Sequence, residues 1–460
     1  MNGQPAIATA EDNWQPARLI PTSGIKGVDE QERRATSALL SVMMAVPEFA
    51  KSLLRKTGAP AGTLKSYIET PFDTKDGAKV RPDGALIIRR GGKEWRAFVE
   101  VKTGGNTLEL AQIEAYLDLA RDEEFNAVLT VSNEMNTAVD SHPLAVAKSK
   151  TRKVALHHYS WVEVLTEAVV QREFRGVSDP DQAWILGELI AYLQHEQSGA
   201  MHFQDMGQHW VTVRDSVRDG VLRPNDAAVV DVVTRWDQFI QYLTLFLSQK
   251  LGVKVNQVLS RKESDPGGRR LVLTKELTES GALSGTLRVQ RAAGDITLSA
   301  SVKARTVTVS VDVDAPAEGK SQTRINWLLR QVQKARGDVR VEAHYQFVRF
   351  PESAKLDELR QNPKLLVSPD ASKTLRWFRV LQTGEMGTKR AGLQGSFIGQ
   401  ATDQLLHFYE DVVQGLKPWA GSAPKLPGTR DEDIATQPDN IVEQVSREHT
   451  EPSEDDWAPG

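Results

Sequence analysis

Two adjacent glycines constrain this chain more than any other feature. Gly91-Gly92 stands between two apolar, alternating runs, Ala85 to Arg89 and Trp95 to Lys102. A glycine pair between such runs specifies a β-hairpin, because glycine enters positive φ without steric cost. Centring the turn on residues 91 and 92 makes cross-strand partners sum to 183. Asp83 is then opposite Glu100, with Cα atoms about 4.5 to 5.5 Å apart. Side chains alternate along a strand, so Glu100 and Lys102 share one face while Val99 and Val101 point the other way into a core.

That register has a chemical consequence. Two carboxylates side by side repel each other unless a cation neutralises them, and an all-oxygen site suits Mg²⁺ or Mn²⁺ rather than zinc. A divalent ion between Asp83 and Glu100 would polarise a phosphoryl oxygen and acidify a bound water, with the Lys102 amine orienting that water or stabilising developing charge. Thr103-Gly104-Gly105 follows the lysine and allows backbone to approach a ligand closely. The plain alternative is a solvated strand face carrying a salt bridge.

Pro82-Asp83 followed by Glu100-Val101-Lys102 resembles the signature of the PD-(D/E)XK nuclease superfamily. Gln112 with Tyr116 resembles the Q-xxx-Y helix motif of its RecB-like branches. The resemblance covers roughly residues 28 to 172, an ordinary domain length. It implies Asp83 and Glu100 as metal ligands, the Val101 carbonyl as a further ligand and Lys102 as the catalytic lysine. Gln112 would position Lys102 or the phosphate, and Tyr116 is a candidate for substrate contact, although it could equally pack its helix against the sheet. A glutamate from the first helix completes many such sites; Glu32 is the choice here, ahead of Glu30 and Glu48. The implied activity is metal-dependent hydrolysis of phosphodiester bonds, in DNA rather than RNA, in repair or in defence against foreign DNA. A second reading keeps the fold without the cutting, as a regulatory or scaffold protein that binds nucleic acid or protein.

The fold class expected is α/β: a PD-(D/E)XK core with a mixed central sheet, then a helical region and an α+β domain. A flexible arm spans 1–27 and the nuclease-like domain 28–172, opening with a helix from Val28 to Phe49. Leu64 to Phe72 reads as its first strand. Asn106, three residues before Glu109, resembles a capping box for the helix carrying Gln112. Ala127 to Val131 and Val154 to Tyr159 read as strands, and Trp161 to Val170 as a closing helix. Adjacent His157 and His158 face opposite sides of their strand and so serve packing rather than a shared ligand. Residues 180–250 carry helical apolar stripes. Residues 251–418 form the α+β part, with short strands expected at Arg270 to Thr274, Ser284 to Gln290, Asp295 to Ser301 and Thr306 to Val313. Its cations Arg324, Arg330, Lys334, Arg336 and Lys389-Arg390 are candidates for phosphate contact, or simply solvated.

The 460 residues include no cysteine, which removes disulfides, thiolate zinc sites and iron-sulfur clusters and fits a reducing cytoplasm. No apolar run approaches the roughly 20 residues needed to span a bilayer, so no membrane partner is expected. The net charge of −4 hides an asymmetry. Residues 428–460 hold ten acidic and two basic side chains, leaving the rest about +4, an excess compatible with nucleic acid. The 419–460 segment reads as a disordered acidic tail, which with the C-terminal domain could engage a protein partner or a second subunit. No G-x-x-x-x-G-K-[ST] appears, so unwinding would need a partner.

Overall fold

A computed structural model describes residues 19–20, 27–73, 79–136, 141–200, 203–392 and 394–420. The arm and the acidic tail therefore lie almost wholly outside the described residues. The described part is mixed α/β, built on a mixed five-stranded sheet and a seven-stranded antiparallel sheet.

The chain begins with α1 (Val28–Ala45) and α2 (Pro47–Leu53), two helices where the sequence suggested one. Pro47 is responsible. Proline denies the preceding residue helical backbone, and Val46 is extended at φ −121°, ψ 87°, so the two helices bend by 112°. Next come β1 (Thr63–Ile68), β2 (Phe72–Asp73) and β3 (Lys79–Val80). The expected first strand is divided, with Phe72 leaving β1 for a short β2–β3 ribbon. The hairpin follows as β4 (Gly84–Arg90) and β5 (Lys93–Val101), then α3 (Leu110–Asp122), β6 (Ala127–Ser132), β7 (Ala155–Ser160) and α4 (Trp161–Val170). Strand order is β1-β4-β5-β6-β7. β1, β4 and β5 pair antiparallel; β5, β6 and β7 run parallel.

Two apolar layers hold this sheet. On one face Leu86, Val99, Val101, Leu129 and Val131 pack with Leu39, Leu40 and Met43 of α1. On the other, Phe98 and Val128 pack with Ile113, Tyr116 and Leu117 of α3. Phe98 is wholly buried and stacks on Phe125 at 3.8 Å, with Phe72 edge-on at 5.1 Å. Each such ring contributes roughly 1.5–3 kcal/mol by burial.

The helices after residue 180 divide between two cores. α5 (Pro180–Gln194), N-capped by the Asp179 side chain, adds Leu186, Leu189, Ile190 and Leu193 to the α1 layer. α6 (Trp210–Asp219) and α7 (Ala227–Leu251) belong to the second core. There follow β8 (Val255–Val258), α8 (Pro266–Ser280), β9 (Ala282–Val289), β10 (Ile296–Ser301), β11 (Thr306–Asp314), α9 (Ser321–Gln331), β12 (Arg340–Tyr345), β13 (Glu352–Lys355), α10 (Leu356–Gln361), β14 (Leu375–Glu385) and α11 (Phe397–Asp411). The second sheet has order β13-β12-β14-β11-β10-β9-β8. Val307, Val309, Val311 and Val313 turn inward against this core, whose helices bring Trp236, Phe239 and Phe397 into ring contact. The strand expected at Arg270 to Thr274 is instead part of α8. Asp265 caps that helix by accepting from Gly268 N, and buried Leu273 and Leu277 stand four apart. Helical spacing and an N-cap outweigh a short alternating stretch.

Candidate functional site

The hairpin turns on Gly91-Gly92. Arg90 pairs with Lys93 and Gly84 with Val99, a register that sums to 183. Of the two glycines only Gly91 takes positive φ, 59°, which is what a II′ turn requires at its first central position. The register carries Asp83, just ahead of β4, to the end of β5, where its Oδ2 accepts from Val101 N at 2.8 Å. Beside it, Glu100 is 0% exposed and on the same sheet face as Phe98.

Glu100 is the most unusual residue of the fold. The Lys102 Nζ lies 2.7 Å from its Oε1 as an ion pair, though poorly angled for a hydrogen bond, and no other well-aligned donor reaches either carboxylate oxygen. A buried carboxylate normally accepts several. Burial, and then the negative charge of Asp83, push the Glu100 carboxyl up to about 7. Burial also raises Asp83, against the pull of the Val101 N–H and Lys102. Lys102 is held above its ordinary value even though burial acts to lower it, because Glu100, Glu32 and Asp83 surround the ammonium.

The backbone beyond Glu100 is clamped from three sides. Lys102 N donates to Val131 O at 2.8 Å, and the indole of buried Trp161 donates to Lys102 O at 2.9 Å. Glu32 of α1 accepts from Thr103 N and from Asn106 Nδ2, and its other oxygen is 3.7 Å from the Lys102 ammonium. Gly104 N donates to Gly199 O, while Asn133 Nδ2 donates to both the Gly104 and Gly199 carbonyls. Gly199 has φ 76°, and a Cβ there would stand 2.4 Å from Gln31 Oε1.

Asp83, Glu100, Lys102 and Glu32 thus come together. Glu30 does not join them: it pairs with Arg34 one turn further along α1, and Glu48 accepts from Ser178 N. Asn106 is not a helix cap; α3 starts at Leu110 without a side-chain cap, and the asparagine serves Glu32 instead. Gln112 makes its hydrogen bond to Tyr116 OH at 3.0 Å rather than to Lys102. Tyr116 is buried and donates to Arg81 O, and its phenol is raised by burial and by Glu100. Arg324 is consumed by the carbonyls of Ala317, Gly319 and Leu375, and Arg390 pairs with Asp205.

The sequence reading missed Asn133, Gly199 and the row beyond Glu100. Asn133 follows the C-terminal end of β6, and such ends converge in a parallel sheet; that was the available signal. Across the parallel strands Glu100 is in register with Thr130, and Thr130 with His158. His142 Nδ1 accepts from Leu144 N, so its Nε2 donates to Thr130 Oγ1. Thr130 in turn donates to His158 Nδ1 at 2.8 Å, and His158 Nε2 donates to Glu134 O. Burial brings His158 down to about 3 and His142 to about 4. Both are neutral packing residues.

Among the described residues no group of three or more His, Cys, Asp or Glu side chains is arranged to hold a metal ion. What the site offers a cation is the Asp83–Glu100 pair. Two buried, mutually repelling oxygen donors fit a hard divalent ion. No family model matches the chain, and no curated protein or solved structure is significantly similar to it.

Proposed function

We propose that this protein is a metal-dependent nuclease of the PD-(D/E)XK type, hydrolysing phosphodiester bonds in DNA. The observation that carries the reading is Glu100, a fully buried carboxylate set beside a second acid, Asp83, and ion-paired with Lys102. A buried carboxylate crowded by a second acid and met by a single ammonium costs stability as a structural feature. As half of a cation site, the same arrangement is complementary to its ligand.

Asp83, Glu100 and the Val101 carbonyl would hold Mg²⁺ or Mn²⁺, which supplies Lewis-acid polarisation of a phosphoryl oxygen and an acidified water. The protein's own groups have separate tasks. The Val101 N–H holds Asp83 in place, and Glu32 with Glu100 keeps the Lys102 ammonium charged. That ammonium can donate to a water or to a phosphate oxygen as negative charge develops. Glu32 acts through Lys102 and the Thr103–Asn106 loop, so it is a positioning residue. Tyr116 and Gln112 support the sheet face next to Glu100.

Purified protein with Mg²⁺ or Mn²⁺ should nick or degrade DNA, offered as duplex, single-stranded and branched forms, and should prefer it to RNA. Glu100→Ala and Lys102→Ala should each abolish cleavage. Cleavage unchanged in both variants would refute the assignment.

A further inference from the structure

The turn joining β12 to β13 presents two aromatic rings to solvent. Phe347 is 90% exposed and Phe350 is 73% exposed. Phe347 also has φ 60°, a left-handed conformation that costs a non-glycine residue roughly 1–2 kcal/mol. Glycine or asparagine would remove the strain and the apolar exposure together, so folding alone does not account for phenylalanine here.

The turn is held in shape. Gln346 N donates to Thr374 O, Val348 N to Tyr345 O, and buried Tyr345 OH to Leu366 O. Arg349 lies between the two rings in sequence, its guanidinium 5.2 Å from the Phe350 centroid. On the outer face of the adjoining strands, His344 stacks on Trp377 at 3.5 Å and 7°, with Arg379, itself paired with Asp312, 5.3 Å from the indole. Residues 340–379, which span this end of the sheet, contain eight Lys or Arg and five Asp or Glu.

We propose that this turn and the adjoining sheet end bind single-stranded nucleic acid, with bases stacking on Phe347 and Phe350 and Arg349 meeting phosphate. Two exposed rings with a guanidinium beside one of them suit stacked bases and a neighbouring phosphate. The cationic surround complements a polyanion, whereas the core of a protein interface is depleted of charge. The proposal goes beyond the nuclease reading and does not depend on it.

The test is fluorescence anisotropy of the full chain in EDTA with labelled oligo-dT and with a duplex of equal length. Binding should favour the single strand. Phe347→Ala and Phe350→Ala should each weaken it about tenfold or more, the scale of base–aromatic stacking. Arg349→Gln should lower the slope of log affinity against log salt by about 0.7. Phe347→Gly should weaken binding while raising the melting temperature, which separates lost contact from lost fold. Affinity is read in EDTA and cleavage with Mg²⁺, so failure here and failure of the cleavage reading are distinguishable. Affinities unchanged in all three ring and arginine variants would overturn the proposal. So would variants that lose self-association or a protein contact while keeping oligonucleotide affinity.

Discussion

Replacing Glu100 by Gln should stabilise the metal-free protein, an unusual outcome for a polar substitution at a fully buried position. In the folded chain the carboxyl sits at about 7, against 4.5 for an unperturbed glutamate. A raised acid favours the fold below pH 4.5, and that contribution is lost as pH rises through 7. At pH 8 the difference amounts to about 3 kcal/mol, at 1.36 kcal/mol per pH unit. The introduced amide can keep its oxygen toward Lys102 and donate from its nitrogen to Asp83, and Lys102 retains Glu32 at 3.7 Å. Urea unfolding in EDTA should show the variant more stable by about 2–3 kcal/mol at pH 8 and by less than about 1 kcal/mol at pH 5. Mn²⁺ at about 1,000 times Kd should reverse the order, since it adds about 4.1 kcal/mol to the wild type alone. A variant destabilised equally at both pH values would refute the reasoning and make Glu100 an ordinary ion-pair partner of Lys102.

Two further outcomes follow from the same frame. Because His142 and His158 are held at about 4 and about 3, the unfolded chain takes up protons first as pH falls below 6.5. Stability should drop from there by about 2 kcal/mol per imidazole at pH 5, measured in the Glu100→Gln background to remove the opposing carboxyl; a flat profile would show the rings accessible to protonation. Gly199→Ala should cost about 1–3 kcal/mol, because φ 76° and the contact with Gln31 both penalise a Cβ. It should slow cleavage by displacing Gly104 while leaving Mn²⁺ affinity nearly unchanged, and wild-type cleavage would separate the Gly199 clamp from function.

Local chemistry made the centre of the site legible. Gly91-Gly92 determined the hairpin register, and parity determined that Glu100 and Val101 face opposite layers, so distance and orientation followed from counting. Glu32 was reachable only by resemblance, since nothing in helical periodicity says which residue of α1 meets the loop after Lys102. The Asn133–Gly199 clamp was illegible because it joins segments 66 residues apart through backbone carbonyls. The break at Val46-Pro47 is written in the sequence by the proline but masked by apolar spacing that continues smoothly across it. At Arg270 to Thr274 a short alternating run concealed a capped helix, and only the leucines four apart distinguished the two.

The central claim is that Asp83 and Glu100 together make a divalent-cation site. Calorimetric titration of the full chain with Mn²⁺ tests it most directly. One site should appear in the wild type and vanish in both Asp83→Asn and Glu100→Gln. Heat of binding that is absent from the wild type, or that persists undiminished in both variants, would contradict the claim.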